Sequence, residues 1–547
     1  MYGIAAQGIG YLWGKPGVLP LGQALFFGVA AYATAHALDA GVGLALSLLL
    51  AVGVMAVLAG FAFILAAVIF RGRSESGPYF SLITLALVMI AEQIAGTATD
   101  LTGGFNGFSG FDSLAGLDPF GNFYYVIVAA TVSVSALLFT LNRLPVDLVA
   151  RAVSDNEPRL QLLGFPTHLV KAAAFGLSAA IAALAGGLFA SHQGIVTPTA
   201  SGFALSAELV IFAAVGGRFH VFGPLLGAVV VGWASAELRG QFPYWELLIA
   251  LAFILVVLKA PGGLSELVES VVRRVRPRRP PVSDATQTPP PPTTQVPNAP
   301  LRFDRVELQR GVVRILDGMS FETPATGIVS VIGPNGAGKT TALNAMTGNL
   351  YLSAGRISLG DTRIDSTPPH RALRAGLGRK LQVPSVFFSL TVAENLILAA
   401  LANRATLVDV FRPSTFRWRP PSVARVLAHP SVALGTTLSQ PVEHLPQGHR
   451  QFLELAMTVA AEPPVLLLDE PCAGLSAEET ALMTELVQAY QAATGGLVIV
   501  IEHDMSIVEA ISDKVLVLHL GQVLAFDSFE SVRADPRVQA VYAGGTK

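Results

Sequence analysis

Long apolar runs fill the first half of the chain and alternate with short polar segments. Residues 41–70 contain no charged side chain, enough length for a tilted membrane helix of about 20 residues. Residues 19–38 form a weaker apolar span that we expect to be re-entrant. Further membrane spans are predicted over residues 78–93, 123–141, 172–190, 203–216, 221–237 and 244–258. The pattern therefore predicts a polytopic α-helical membrane domain.

The pattern changes after residue 300 to short apolar strands, glycine turns and helical periodicity, as in a globular α/β domain. Residues 265–300, between the two halves, are rich in arginine, proline and threonine and have no apolar face to bury. We expect them to form an extended, solvated linker rather than a proline-rich ligand for an SH3-like domain. The sequence thus divides into residues 1–264, residues 265–300 and residues 301–547.

Composition excludes several classes of protein. Hydrophobic residues make up 52% of the chain and charged residues 14%, with a mean hydropathy of +0.56, whereas a soluble domain carries about 25% charged residues. A water-soluble protein throughout is therefore excluded. The formal charge of −2, without a basic face, argues against nucleic acid as a partner. The single Cys472 excludes an intrachain disulfide. We do not expect a secretory signal, because no basic segment precedes the first apolar run.

The cations near the predicted helix ends indicate which loops face the cytosol. They occur in the loops at residues 71–73, 143–171 and 218–220 and in the linker, whereas residues 99–122 and 191–202 contain no Lys or Arg. An even number of crossings separates successive cation-bearing loops. The C-terminal domain is therefore predicted to be cytosolic.

A glycine-rich loop follows the apolar strand predicted over residues 328–332. It reads GPNGAGKTT and matches the phosphate-loop pattern G-x-x-x-x-G-K-[ST]. The glycines let backbone N–H groups surround phosphate oxygens, Lys339 adds a charge for the outer phosphates, and the Thr340 hydroxyl suits Mg²⁺. The predicted nucleotide-binding residues are Gly333, Pro334, Asn335, Gly336, Ala337, Gly338, Lys339, Thr340 and Thr341.

A second apolar strand, predicted over residues 464–468, ends in Asp469 and Glu470. Asp469 is placed to hold Mg²⁺, and Glu470 to orient and deprotonate an attacking water. Phosphoryl transfer needs this combination of charge neutralisation and a positioned nucleophile. An exposed acidic pair at a strand end is the plain alternative, but the upstream phosphate loop favours hydrolysis of ATP with Mg²⁺ as cofactor.

These motifs resemble the nucleotide-binding domain of ABC transporters over nearly all of residues 301–545. The resemblance implies a cytosolic α/β P-loop fold and roles for two more residues. Gln382, in GLGRKLQVPSVF, falls at the loop that senses the γ-phosphate, belongs to the Mg²⁺ site and touches the permease. His503, in VIVIEHDM, falls at the switch histidine that contacts the γ-phosphate, although a structural histidine after a strand is the alternative.

Two positions depart from that family's pattern. The signature, usually LSGGQ-like, reads LPQGH here, so that Pro446 replaces the serine whose hydroxyl donates to the γ-phosphate. Gln447 and Gly448 are then expected to contact ATP held by the partner's phosphate loop, in a site that is slow or only binds nucleotide. Arg310 stands where an aromatic residue normally stacks on adenine. A guanidinium also stacks on a base, and a solvated turn residue is the alternative.

Residues 151–171 read RAVSDNEPRLQLLGFPTHLVK, with polar and apolar positions at helical spacing until Gly164. An amphipathic inner-face helix of this kind suits docking into a groove on an ATPase domain, and an ordinary solvated loop is the alternative. The segment resembles the coupling loop of importer permeases of the branched-chain amino-acid class. Further motifs of that family occur in the same order along this chain, namely LGQALFFG, LTGGFNG, and VGG followed by FGPLLG. The resemblance covers residues 18–264. Such permeases normally have more membrane sequence before LGQALFFG, so the assignment of the first helix is left undecided.

Together, the two resemblances imply a permease subunit fused to its ATP-binding subunit in an ABC importer. Branched-chain or other hydrophobic amino acids are the favoured substrates. Urea or short amides come second, because GLGRKLQVPSVF, LLLDEPCAGLS and ADPRVQAVYAG resemble the ATPases of that class. An exporter and a non-hydrolytic, nucleotide-regulated membrane subunit are the remaining alternatives.

The resemblance also implies partners and a location. We expect a second permease subunit, a second ABC ATPase domain, an extracytoplasmic substrate-binding protein and a small polar metabolite as substrate. The chain is expected to cross the cell inner (plasma) membrane several times, with its lipid-facing helices in the bilayer and its ATPase domain in the cytosol.

Overall fold

The chain folds into two compact units. The computed structural model describes residues 1–71, 77–114, 117–240, 244–259, 262–266, 298–365, 367–402, 421–429, 432 and 434–543. The first unit contains Met1–Ser154 and the described part of Thr167–Arg279, and the second contains Asp155–Pro166 and the described residues from 298 onwards. Most of the linker predicted over residues 265–300 lies outside the described residues, so the domain boundaries stay predictions.

The first unit is a bundle of α-helices. Its helices are α1 (Tyr2–Gly14), α2 (Gln23–Asp39), α3 (Leu44–Ile69), α4 (Gly77–Thr97), α5 (Thr99–Thr102), α6 (Phe123–Leu141), α7 (Pro145–Leu162), α8 (Thr167–Gln193), α9 (Phe203–Gly216), α10 (Gly223–Arg239) and α11 (Trp245–Lys259). Two short strands, β1 (Phe108–Ser109) and β2 (Ile195–Val196), pair antiparallel. Helix α7 belongs to this unit up to Ser154.

Among the described residues, α3, α4, α6 and α8 are long and apolar enough to cross a membrane. At 1.5 Å per residue, the 26 residues of α3 extend about 39 Å, more than the roughly 30 Å of bilayer hydrocarbon. The predicted spans over residues 123–141 and 203–216 coincide with α6 and α9. The prediction of a polytopic helical domain is confirmed.

Helix α8 lies at the centre of the bundle and packs on α1, α2 and α3. Its small side chains allow close helix approach, as is common in membrane bundles. A side chain at Gly186 would collide with the backbone carbonyl of Phe27 in α2. The packing of α8 on α2 therefore requires glycine at this position.

Helix α1 was not predicted from the sequence. Most of its residues are buried, and Gln7 donates from Nε2 to Ser135 Oγ and to the Val221 carbonyl, both at 2.9 Å. Lys15, just after α1, pairs with Asp147 of α7 at 2.7 Å. At 13 residues α1 is shorter than a membrane span, and contacts rather than hydropathy identify it as part of the bundle.

The second unit has two β-sheets with helices around them. The strands are β3 (Leu301–Arg310), β4 (Val313–Glu322), β5 (Gly327–Ile332), β6 (Ala354–Leu359), β7 (Thr362–Arg363), β8 (Leu377–Lys380), β9 (Val465–Asp469), β10 (Leu497–Ile501), β11 (Lys514–His519) and β12 (Gln522–Asp527). The helices are α12 (Lys339–Met346), α13 (Pro369–Ala372), α14 (Val392–Leu401), α15 (Pro421–Ala428), α16 (Gln447–Val459), α17 (Ala477–Thr494), α18 (Met505–Ile511), α19 (Phe529–Ala534) and α20 (Pro536–Ala543).

The larger sheet has the strand order β12-β11-β5-β10-β9-β8, parallel except for the antiparallel β12. The smaller sheet, β4-β3-β6-β7, is antiparallel. Strands β5, β8, β9 and β10 are buried along their whole length, as expected for parallel strands covered on both faces. Their carboxyl ends meet at one edge of the sheet, which is where such folds bind ligands. The predicted α/β fold class is confirmed.

Candidate nucleotide site

The predicted phosphate loop connects β5 to α12. Gly336 and Gly338 have φ values of +83° and +98°, which glycine adopts without a steric cost. Gly338 is the N-cap of α12, so the first amides of α12 point toward the loop, an arrangement that favours anions. The residues from Gly333 to Thr341 thus form one continuous loop and first helical turn.

The Lys339 ammonium lies over this loop and donates to the carbonyls of Gly333 at 2.7 Å and Pro334 at 3.1 Å. Burial lowers the pKa of Lys339, while the charges of Glu470 and Asp469 oppose that shift. The ammonium is therefore held at the loop by neutral acceptors and by two nearby carboxylates.

Asp469, at the end of β9, lies next to Thr340, with 3.5 Å between Thr340 Oγ1 and Asp469 Oδ1. Burial raises the pKa of Asp469, and the charge of Arg379 counteracts the rise. Hydroxyl and carboxylate oxygens fit Mg²⁺, which usually keeps several waters and takes further oxygens from phosphates. Within the described residues, no group of three His, Cys, Asp or Glu side chains forms a metal cage. The pair suits a cation shared with a nucleotide.

Both carboxylate oxygens of Glu470 are engaged. Gln382 donates from Nε2 to Oε2 at 2.9 Å, and His503 Nε2 lies 2.8 Å from Oε1. Glu470 has a φ of +47°, a conformation that costs a non-glycine residue about 1–3 kcal/mol and clusters at functional sites. Its amide donates to the Ile501 carbonyl at 3.0 Å, which ties the strained residue to β10.

The sheet explains why these residues meet. Gln382 follows β8, Asp469 ends β9, Glu470 follows β9, and His503 follows β10. All four lie at the same sheet edge as the phosphate loop that follows β5. The structure therefore brings together most of the residues predicted to bind and hydrolyse ATP.

Three predicted site residues belong to other elements than these strand ends. Arg310 is exposed at the end of β3, opposite Val313 in the β3–β4 hairpin. Gln447 and Gly448 begin α16, whose N-cap Pro446 offers no side-chain acceptor or donor. A side chain at Gly448 would meet the Glu479 carboxylate of α17. The nucleotide contacts of these residues stay predictions.

Comparison with known proteins decides the family. Residues 1–258 match the family model described as branched-chain amino acid transport system / permease component, and residues 316–473 match the model described as ABC transporter. The ATP-binding half is 32% identical over 248 residues to the high-affinity branched-chain amino acid transport ATP-binding protein BraF of Pseudomonas aeruginosa, covering 45% of this chain and 97% of BraF. The corresponding LivG of Escherichia coli is 33% identical over 249 residues, covering 45% and 97%. The chain belongs to the ABC transporters.

Solved structures similar to the chain are also ATP-binding cassettes of ABC transporters. One in its ADP conformation is 25% identical with a TM-score of 0.38, covering 45% of this chain and 99% of that cassette. A nucleotide-free cassette is 24% identical with a TM-score of 0.38, covering 45% and 98%.

The family assignment confirms that this ABC transporter chain is a membrane protein in which a permease is fused to an ATPase domain. The prediction of an ATPase is confirmed with it. An ABC ATPase domain binds a nucleotide, whereas Mg²⁺ and the roles of individual residues stay predictions.

Arg379 of the ABC ATPase domain was not predicted to be near the site. It is buried and pairs through Nη2 with Asp469 Oδ2 at 3.4 Å. Its Nη1 donates to Asn344 Oδ1 at 2.8 Å and to Thr347 Oγ1 at 3.0 Å. Burial lowers the pKa of Arg379, and Asp469 opposes this shift. The sequence did contain a signal for this role, because Arg379 is a cation inside β8, a strand that is buried on both faces.

The segment predicted to dock on an ATPase domain, residues 151–171, belongs to the second unit only over Asp155–Pro166, whereas its two ends belong to the first unit. Asn156 interrupts α7 with a non-helical φ of −149° and ψ of 81°. Its Oδ1 accepts from the Arg159 amide at 3.1 Å, as a helix N-cap does, and Pro158 then falls in a first turn that tolerates it. Asn156 also donates to Ser385 Oγ at 3.1 Å, and Asp155 accepts from Ser389.

Proposed function

We propose that this chain is the fused permease–ATPase subunit of an importer that couples ATP hydrolysis to uptake of branched-chain or other hydrophobic amino acids. The carrying observation is a carboxylate, Glu470, fixed by Gln382 and His503 beside a phosphate loop. That site shares one chain with a permease whose family description names branched-chain amino acid transport. The names of BraF and LivG support the same substrate class.

In this proposal the phosphate loop binds ATP. The backbone N–H groups of residue 333 and residues 335–341 and the Lys339 ammonium donate to the phosphate oxygens. Thr340 and Asp469, assisted by Gln382, would hold Mg²⁺. Mg²⁺ neutralises phosphate charge in phosphoryl transfer. Arg310 stacks on the adenine by its guanidinium plane.

Glu470 is the general base of this proposal. A carboxylate that removes a proton from water must be oriented toward it, and Gln382 and His503 fix the orientation of both Glu470 oxygens. The bond from the Glu470 amide to the Ile501 carbonyl holds this strained residue in place at the end of β9. Loss of the carboxylate is then expected to stop hydrolysis and to leave nucleotide binding intact.

The proposed transporter needs further subunits. A second permease, a second ABC ATPase domain and an extracytoplasmic substrate-binding protein complete it in the inner membrane, with this ATPase domain in the cytosol. Gln447 and Gly448 then face ATP bound by the partner domain. Because Pro446 offers no hydroxyl, that composite site is expected to hydrolyse slowly or only to bind.

The test is ATPase activity of the assembled transporter in lipid nanodiscs. Native protein and Glu470→Gln are compared with and without the candidate binding protein, loaded with leucine or with urea. We expect Glu470→Gln to lower kcat by at least about 100-fold, the scale of a lost general base, while a fluorescent ATP analogue still binds.

The result assigns the substrate class as well. Stimulation by the leucine-loaded protein supports the proposal, and stimulation only by the urea-loaded protein selects the alternative that the ATPase motifs suggest. Equal, negligible hydrolysis by both proteins, with the partners and lipids present, would refute the hydrolytic function.

A further inference from the structure

A buried carboxylate, Glu454 of α16, contacts three groups from two segments of the second unit, the segment 155–166 and the end of β8. Its Oε1 accepts from the Leu381 amide at 3.0 Å and lies 3.5 Å from Arg159 Nη1. Its Oε2 lies 3.7 Å from Lys380 Nζ. The side chains of Arg159, Lys380 and Glu454 are at most 1% exposed. Charges at this depth are held by their partners, since water does not screen them.

Arg159 reaches Glu454 from the segment 155–166. Its Nη1 donates to the Arg379 carbonyl at 2.8 Å, and its Nη2 donates to Thr458 Oγ1 at 3.0 Å and to the Glu454 carbonyl at 3.3 Å. One guanidinium therefore joins the end of β8 to the last turns of α16. Its planar fork fixes direction as well as distance, which an ammonium does not.

The groups held by Arg159 and Glu454 adjoin the candidate nucleotide site. Leu381 precedes Gln382, which donates to Glu470. Arg379, whose carbonyl Arg159 holds, pairs by its own side chain with Asp469. The backbone from Arg379 to Gln382 thus carries contacts to the segment 155–166 on one side and to both acidic residues of the site on the other.

Competition at Glu454 makes the position of Leu381 depend on Arg159. Arg159 and the Leu381 amide share Oε1, whereas Lys380 attracts Oε2. Without the guanidinium, the carboxylate is free to turn toward Lys380, and the Leu381 amide then loses its acceptor. A buried amide without an acceptor is costly, so the backbone before Gln382 is expected to shift.

We propose that Arg159 and Glu454 are positioning residues that hold the backbone at Leu381 and thereby keep Gln382 on Glu470. The inference rests on the proposed hydrolytic role of Glu470 and Gln382 and adds two buried residues that act on that site through the backbone at Leu381.

The test is a double-mutant cycle on the assembled transporter in nanodiscs, with its partner subunits present. Arg159→Met, Gln382→Ala and the double variant are compared with native protein in single-turnover hydrolysis. We expect Arg159→Met to lower the hydrolysis rate about tenfold, equal to about 1.4 kcal/mol of barrier, and to leave the KM for ATP within about twofold. In the Gln382→Ala background, Arg159→Met is expected to have no further effect, because the residue it positions is gone.

A second readout follows the Leu381 amide directly. Hydrogen exchange of the peptide containing Leu381 is expected to accelerate in Arg159→Met but not in the matched control Arg151→Met, whose Nε pairs with Asp147 at 3.0 Å within the first unit. Thr458→Val is a milder variant in case Arg159→Met does not fold. It removes one acceptor of Arg159 and is expected to slow hydrolysis about threefold, again only when Gln382 is present.

The outcomes separate this inference from the proposed function. Equal losses from Arg159→Met with and without Gln382, or unchanged exchange at Leu381, would overturn the positioning role. A native protein without hydrolysis overturns the proposed function instead, and the exchange measurement still decides whether Arg159 holds Leu381.

Discussion

Replacing Arg379 by methionine tests whether the ABC site depends on a buried ion pair. Arg379 and Asp469 are each 1% exposed, and 3.4 Å separates Nη2 from Oδ2. Arg379→Met keeps a long apolar side chain but leaves the Asp469 carboxylate without its guanidinium. We expect the ATPase domain to unfold at lower temperature and hydrolysis to fall, because Asp469 no longer has a fixed position beside Thr340.

The magnitude follows from the contacts. Removing one partner of a buried pair costs about 3–5 kcal/mol. The lower end applies, because Lys380 also contributes positive charge at Asp469. Thr347 Oγ1 loses Arg379 as a donor, and Asn349 still donates to it at 3.4 Å. For a domain of this size, about 3 kcal/mol lowers the unfolding midpoint by about 6–12 °C.

The assay is thermal unfolding of the full chain, following the ATPase-domain transition, in a cycle with Asp469→Asn. In that background the carboxylate charge is absent, so Arg379→Met should cost only about 1–2 kcal/mol, the scale of the two hydrogen bonds that Nη1 donates to Asn344 and Thr347. The exposed Arg374 provides a matched control, Arg374→Met, which should leave the midpoint unchanged. An equal drop in midpoint in the native and the Asp469→Asn backgrounds would refute the ion-pair explanation.

Three further outcomes are expected. Gly186→Leu should lower the yield and thermal stability of the membrane domain, because the side chain collides with the Phe27 carbonyl, whereas Gly60→Leu meets open space and should be tolerated in the same detergent-stability assay. Burial raises the pKa of Glu502 above its ordinary value of 4.5. The folded domain then binds the proton more tightly than the unfolded chain, so stability from this group is lost as the pH rises above 4.5. Glu502→Gln should therefore make the unfolding midpoint less dependent on pH as the pH rises above 4.5, and an unchanged dependence would contradict this. Glu470→Gln should keep its affinity for a fluorescent ATP analogue while hydrolysis is lost, and a matching loss of affinity would indicate a binding role instead.

Hydropathy predicted the long helices of the bundle and missed the short helix α1, for a physical reason. The spans at α6 and α9 had the same bounds in the sequence and in the structure, because apolar residues fill each helix and glycine or polar residues flank it. Helix α1 mixes glycine and glutamine with apolar residues and is only 13 residues long. Its place in the bundle depends on contacts with helices distant in the chain, such as the bonds of Gln7 to Ser135 and Val221. Such contacts leave no periodic pattern.

The residues of the candidate site could be predicted where they come at or directly after the end of a strand. The phosphate loop, Asp469, Glu470 and His503 each come directly after an apolar run, and parallel strands bring their carboxyl ends together. Arg379 and Glu454 were not predicted, because a charge in a buried strand or helix has meaning only through its partner. One partner of Glu454 is Arg159, which lies 295 positions away in the chain.

The segment 155–166 and the ATPase domain belong to one polypeptide. The Arg159–Glu454 pair therefore does not have to supply the affinity that would hold two separate chains together. A covalent link makes an association intramolecular, with effective concentrations up to about the millimolar range, so little affinity is required of any single contact. A buried ion pair is also a poor source of net stability, since desolvation offsets most of its Coulomb attraction. The remaining contribution of the Arg159–Glu454 pair is the orientation that it imposes on the groups it contacts. The guanidinium of Arg159 fixes the Arg379 carbonyl at 2.8 Å and the Glu454 carboxylate that holds Leu381, and apolar side chains of the same volume would fill the space without fixing either. The pair is therefore better explained by the orientation of the backbone before Gln382 than by the strength of docking.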